Sequence, residues 1–155
     1  MDKAEAYRQL AQEIASLVAG ETSETARYAT AACLMASALK PRFFWTGFYL
    51  VDPLKPQELV VGPYQGTLGC LRIPFGKGVC GHVAATREPI IVPDVHAFPG
   101  HIACDSASNS EIVVPVFRPD GSLAGVLDVD STEYDAFDET DQAGLTEICR
   151  ILLTA

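Results

Sequence analysis

Residues 111–118 (Glu-Ile-Val-Val-Pro-Val-Phe-Arg) and 123–130 (Leu-Ala-Gly-Val-Leu-Asp-Val-Asp) are joined by Pro119-Asp120-Gly121-Ser122. An Asp-Gly turn between two β-branched, apolar runs admits little except an antiparallel hairpin. With Asp120-Gly121 at the tip, Glu111 falls opposite Asp130 and Val113 opposite Asp128. Strand side chains alternate, so Asp128 and Asp130 share one face while Leu127 and Val129 take the other, into the core. Three carboxylates thereby meet at one end of one face. Like charges set opposite one another destabilise a sheet, so folding alone gives no reason for the arrangement. Either the face is solvated and the charges disperse into water, or the cluster does chemistry. In the second case it receives a cation, or it keeps one carboxyl protonated because its neighbours raise that pKa.

The rest of the chain reads as helix, sheet, helix. Residues 3–18 form an amphipathic helix ended by Gly20, and Ser23 caps a second helix that Lys40-Pro41 stops. Aromatic and β-branched residues make 43–52 a strand, and 58–61 a second short one before Gly62-Pro63. A glycine-rich section, 62–81, leads into a short helix over 83–87, and 90–92 is a buried strand. The irregular segment 93–109 is long enough to suggest a functional loop. Phe137-Asp138 opens a last helix. The expected fold is α+β: one domain over 1–155, with helices over about 3–39, sheet and site loops over 43–131 and a C-terminal helix over 138–153. The helices pack on a central antiparallel sheet.

Charge and composition narrow the function. The net charge of −9 repels phosphate backbones and anionic headgroups, so neither nucleic acid nor a membrane surface is an expected partner. No apolar run approaches a membrane span, and the charged start, Met1-Asp2-Lys3-Ala4-Glu5, is unlike a signal peptide. Five cysteines without a secretion signal suggest reduced thiols in the cytoplasm.

Cys33 and Cys149 sit among apolar neighbours on helices and read as small core residues. Cys70, Cys80 and Cys104 lie in glycine-rich or loop contexts, where thiols can be exposed and approach one another. Cys80-Gly81-His82 and His101-Ile102-Ala103-Cys104 could offer zinc ligands, but the paired Cys-x-x-Cys spacing of structural zinc sites is missing. The loop spacing of a calcium site is missing too. Trp45 and Tyr49, four apart on one strand, share a face and make either core packing or a wall for a small ligand.

Six segments together resemble the free methionine-(R)-sulfoxide reductases, single-domain enzymes of the GAF fold. They are Trp45-Thr46-Gly47-Phe48-Tyr49, Gly76-Lys77-Gly78-Val79-Cys80-Gly81, Asp94-Val95-His96, His101-Ile102-Ala103-Cys104-Asp105, Ser108-Asn109-Ser110-Glu111-Ile112 and Gly125-Val126-Leu127-Asp128-Val129-Asp130-Ser131. The resemblance implies Cys104 as nucleophile, Cys70 as resolving thiol and Cys80 as a second partner. It also implies that Glu111, Asp128 and Asp130 hold the substrate, and that Trp45 and Tyr49 receive its methyl group. It further implies a homodimer recycled by thioredoxin.

The residues suit that chemistry. A thiolate attacks the sulfoxide sulfur, and an acid must protonate the departing oxygen; Glu111 is the candidate. Asp128 or Asp130 can bind the ammonium of a free amino acid, which a residue inside a peptide lacks. The resulting sulfenic acid is converted to a disulfide and reduced by an external dithiol. No metal, flavin or nicotinamide motif is present, and none is expected. The competing readings are a non-catalytic GAF module that binds a small ligand and a cysteine redox sensor. A sensor normally carries an output domain, for which 155 residues leave no room.

Overall fold

The hairpin forms in the expected register. In the computed structural model, which describes residues 1–101 and 106–154, β5 (Ser110–Phe117) pairs with β6 (Leu123–Ser131). Glu111 faces Asp130 and Val113 faces Asp128. The register slips only between Val116 and Phe117, next to the turn and away from the carboxylates. Gly121 takes φ +87°, a left-handed conformation that favours glycine.

Helix α1 (Lys3–Val18) starts where Asp2 accepts a hydrogen bond from the Glu5 backbone N–H. Helix α2 (Glu24–Ala38) starts at Ser23, which accepts from the N–H of Ala26. Strands β1 (Trp45–Asp52), β2 (Lys55–Gln65), β3 (Arg72–Pro74) and β4 (Ile90–Val92) join the hairpin in one sheet. Its order is β3-β2-β1-β6-β5-β4, antiparallel throughout. Helix α3 (Gly78–Thr86) lies between β3 and β4 in sequence, and α4 (Glu139–Thr154) closes the chain.

Both faces of the sheet are covered. Phe48, Ile112, Val114, Leu127 and Val129 pack on one side with Tyr7, Ile14, Tyr28 and Leu145 of α1, α2 and α4. Trp45, Tyr49, Val113 and Val126 pack on the other with Val79, Cys80 and Val83 of α3. The carboxylate face is therefore not solvated: Glu111 and Asp128 are each only 5% exposed.

Four sequence expectations need correction. β2 is eleven residues long and runs through Gly62-Pro63. It does so because β3 pairs with it only over Glu58, Leu59 and Val60, and because Pro63 falls in a bulge opposite β1. Proline costs little at an edge or a bulge. β3 itself lies unexpectedly inside the glycine-rich section. Helix α3 begins at Gly78, not at 83, which moves Cys80 from a loop into a first turn. Finally, β4 is an edge strand whose isoleucines are half-buried.

Candidate active site

β1 brings the aromatic wall to the acids. Its pairing with β6 sets Trp45 opposite Asp130 and Gly47 opposite Asp128. The Trp45 ring stacks on Tyr49 (centroids 5.6 Å apart, 16° between planes) and on Tyr64 (5.0 Å, 21°). Its Nε1–H donates to the Thr67 carbonyl at 2.8 Å, which fixes the ring's orientation. Two glycines make room. A Cβ on Gly47 would lie 2.2 Å from Tyr64 Cβ, and one on Gly69 would lie 2.8 Å from the indole.

Trp45, Tyr49, Cys80, Glu111, Asp128 and Asp130, six of the eight residues singled out from sequence, line a single pocket. Cys70 is half-buried against the cluster that holds Trp45 and Tyr49, disulfide-bonded, with its backbone hydrogen-bonded to the Tyr49 hydroxyl. Cys104 lies outside the described residues. Lys77, His101 and Ser108 also line the pocket and were not anticipated there. Their segments, Gly76-Lys77-Gly78, His101 and Ser108-Asn109, stood in the motifs, but only the folded chain brings these residues to one pocket with the acids.

The electrostatics follow from burial. Glu111 is held well above the usual carboxylate range, first by desolvation and then by the negative charge of Asp130. Asp128 is raised by desolvation and by Glu111. The two carboxyls are hydrogen-bonded to each other, and burial favours the protonated form of both. Cys80 is a free, buried thiol, pushed up by desolvation and by the three acids. Burial lowers the pKa of His101, whose Nε2 is 3.7 Å from Glu111 Oε1. Asp128 Oδ1 is buried without a hydrogen-bond partner among the described residues.

The other thiols separate. Cys149 is buried in the helical core as expected, but Cys33 is exposed. Helix α2 buries Arg27, Tyr28, Ala31, Ala32 and Met35, and position 33 falls outside that stripe. Nor can Cys80 and His82 pair as ligands: two positions apart on α3, they point to opposite sides. Cys80 is buried and His82 is exposed, edge-on to Phe98 at 5.9 Å.

Known proteins share this frame. The GAF domain family matches residues 4–155. The GAF domain-containing protein A of Dictyostelium discoideum is 47% identical over 152 residues, covering 97% of this chain and 92% of that protein. The free methionine-R-sulfoxide reductase of Escherichia coli is 45% identical over 148 residues, covering 96% and 87%. A crystal structure of the free methionine-R-sulfoxide reductase of Neisseria meningitidis with its substrate superposes with a TM-score of 0.92. The identity is 50%, over 98% of this chain and 89% of that one. On these matches, which span nearly the whole chain, this chain belongs to the GAF domain family, among its free methionine-R-sulfoxide reductases.

Proposed function

We propose that this protein reduces free L-methionine (R)-sulfoxide to L-methionine by thiol chemistry. The observation that carries the reading is the meeting of the buried Glu111 and Asp128 with Asp130 beside the Trp45–Tyr49 stack in one pocket. Relatives named as free methionine-R-sulfoxide reductases, one crystallised with its substrate, support it. A plain ligand-binding module or a redox sensor has no need for a carboxyl kept protonated by buried neighbours.

The roles follow from the chemistry. The Cys104 thiolate attacks the sulfoxide sulfur while Glu111 delivers a proton to the sulfoxide oxygen. The attack forms a transient bond between Cys104 and the substrate sulfur; this bond and the S–O bond then both break as the hydroxyl passes to Cys104, leaving a sulfenic acid and methionine with two more electrons on its sulfur. The Cys70 thiol then attacks the sulfenic sulfur, releasing water and forming a disulfide. A dithiol protein such as thioredoxin returns both sulfurs to thiols. The oxidised state of Cys70, against the free and buried Cys80, favours Cys70 as the resolving thiol. Asp128 and Asp130 bind the ammonium, and the indole and phenol receive the methyl group. The protein acts as a homodimer in the cytoplasm.

The test is direct. Racemic free methionine sulfoxide is incubated with the protein and dithiothreitol, and methionine and both epimers are quantified. Loss of the R epimer alone, with equivalent methionine formed, is the expected result. No methionine from folded, reduced protein would refute the reading.

A further inference from the structure

We propose that Cys80, Glu111, Asp128 and His101 form a binding site for a borderline divalent cation of the zinc class, one that closes the pocket reversibly to its substrate. The Cys80 Sγ and a carboxylate oxygen from each of Glu111 and Asp128 all lie within 4.8 Å of one another, and all three residues are buried. His101 Nε2 stands 3.7 Å from Glu111 Oε1 and lines the same pocket. Zinc bonds of about 2.0–2.3 Å place ligand atoms roughly 3.5 Å apart around a tetrahedron. The His101–Glu111 separation is already close to that spacing, whereas His101 lies outside the group of atoms within 4.8 Å and must shift toward Cys80 and Asp128 to complete the tetrahedron.

A second observation points to a ligand. Asp128 is 95% removed from solvent, yet its Oδ1 has no partner among the described residues. The Asp128 side chain is hydrogen-bonded to Glu111 and Cys80, so Oδ1 is the one acceptor left open, beside the two residues that would share a cation with it. The donor set selects the cation. One thiol, one imidazole and two carboxylates suit zinc, cobalt(II) or cadmium, whereas calcium and magnesium want six or more oxygens.

Occupation has a consequence for turnover. Glu111 and Asp128 are the groups assigned above to the sulfoxide oxygen and the ammonium, so a bound cation displaces substrate from both. The site itself rests on geometry; only that competition rests on the reductase reading.

Fully reduced protein is titrated with zinc against a chromophoric chelator, and separately with cobalt(II). One equivalent of zinc is expected to bind, with affinity falling at least tenfold in Cys80→Ser and in Asp128→Asn and unchanged in Cys33→Ser. Circular dichroism shows that each variant is folded. Cobalt in the wild-type protein should show the intense visible bands of tetrahedral geometry and a sulfur-to-metal charge-transfer band. Weak octahedral bands, unaltered zinc affinity in both site variants, or loss of binding in Cys33→Ser would each overturn the proposal. Excess L-methionine should weaken zinc binding. If zinc binds as described and methionine leaves it unchanged, the cation site stands and the substrate assignment of Glu111 and Asp128 fails.

Discussion

Glu111 and Asp128 are alike in burial but differ in the task assigned to them, and two measurements separate the tasks. A free substrate carries an ammonium that N-acetylation removes. Loss of that partner from a buried carboxylate costs about 2–5 kcal/mol, or roughly thirty-fold to several thousand-fold in kcat/KM. N-acetyl-methionine sulfoxide is therefore expected to be a very poor substrate. Asp128→Asn should slow the free substrate far more than the acetylated one, narrowing the gap. Glu111→Gln should slow both, since it removes the proton donor. Equal kcat/KM for the two substrates in wild-type enzyme would end the ammonium-binding assignment. Because the acid form of Glu111 is the one required, kcat/KM should fall as pH rises through its raised pKa. The nucleophile is tested by Cys104→Ser: the fold survives and single-turnover methionine yield drops to background. Methionine from that folded variant would move the nucleophile elsewhere. The two remote thiols need no such test, and Cys33→Ala at the surface should alter stability by no more than about 0.5 kcal/mol.

At the scale of elements, the site is the seam where β1, β5, β6 and α3 converge. Gly47 is a tight point of that seam, opposite Asp128 and against Tyr64 and the Trp45 ring. An added methyl meets both a side chain and the backbone of Tyr64, at 2.2 and 2.9 Å, so β2 cannot relieve it by a rotamer change. Gly47→Ala is expected to cost about 1–3 kcal/mol in urea unfolding. It should also raise KM by displacing the indole. A variant with wild-type stability and KM would show that the stack adjusts freely.

At the scale of the whole molecule, two buried polar networks pull stability in different ways. Around Asp141, which is fully buried, the Tyr7 hydroxyl donates at 2.6 Å, Arg42 at 2.6 Å and Lys3 at 3.0 Å. This network ties α1, the α2–β1 connection and α4 together, far from the pocket. Replacing the charge leaves two cations under-compensated, so Asp141→Asn should cost about 3 kcal/mol with kcat little changed. The pocket acids act the other way. Glu111 and Asp128 have folded pKa values above their unfolded ones, so the folded state binds more protons and stability falls as pH rises. The window opens at the unfolded carboxyl pKa near 4 and extends up to the raised values. Substrate-free protein should accordingly lose thermal stability as pH rises above about 4, and Glu111→Gln should flatten that loss. Identical slopes for the two proteins would mean that Glu111 does not hold its proton in the folded state.

Local rules determined much of this protein. The Asp2 and Ser23 caps, the Asp-Gly turn and the alternation along β5 and β6 set α1, α2 and the hairpin, and with it the pairing of Glu111 with Asp130. These features depend on residues a few positions apart, and so they are legible in sequence. Helix α3 begins five residues earlier than its sequence suggests, because it is apolar on nearly every side and offers no periodic stripe. Cys33 was misplaced because an apolar neighbourhood in sequence does not say which side of a helix faces the core. Above all, the character of the acid cluster was open between a solvated face and a working site. Only the tertiary structure decided it, by laying α3 and the β2–β3 connection over that face. Burial, and through it the raised pKa values, depends on what a distant segment covers, and no local pattern contains that.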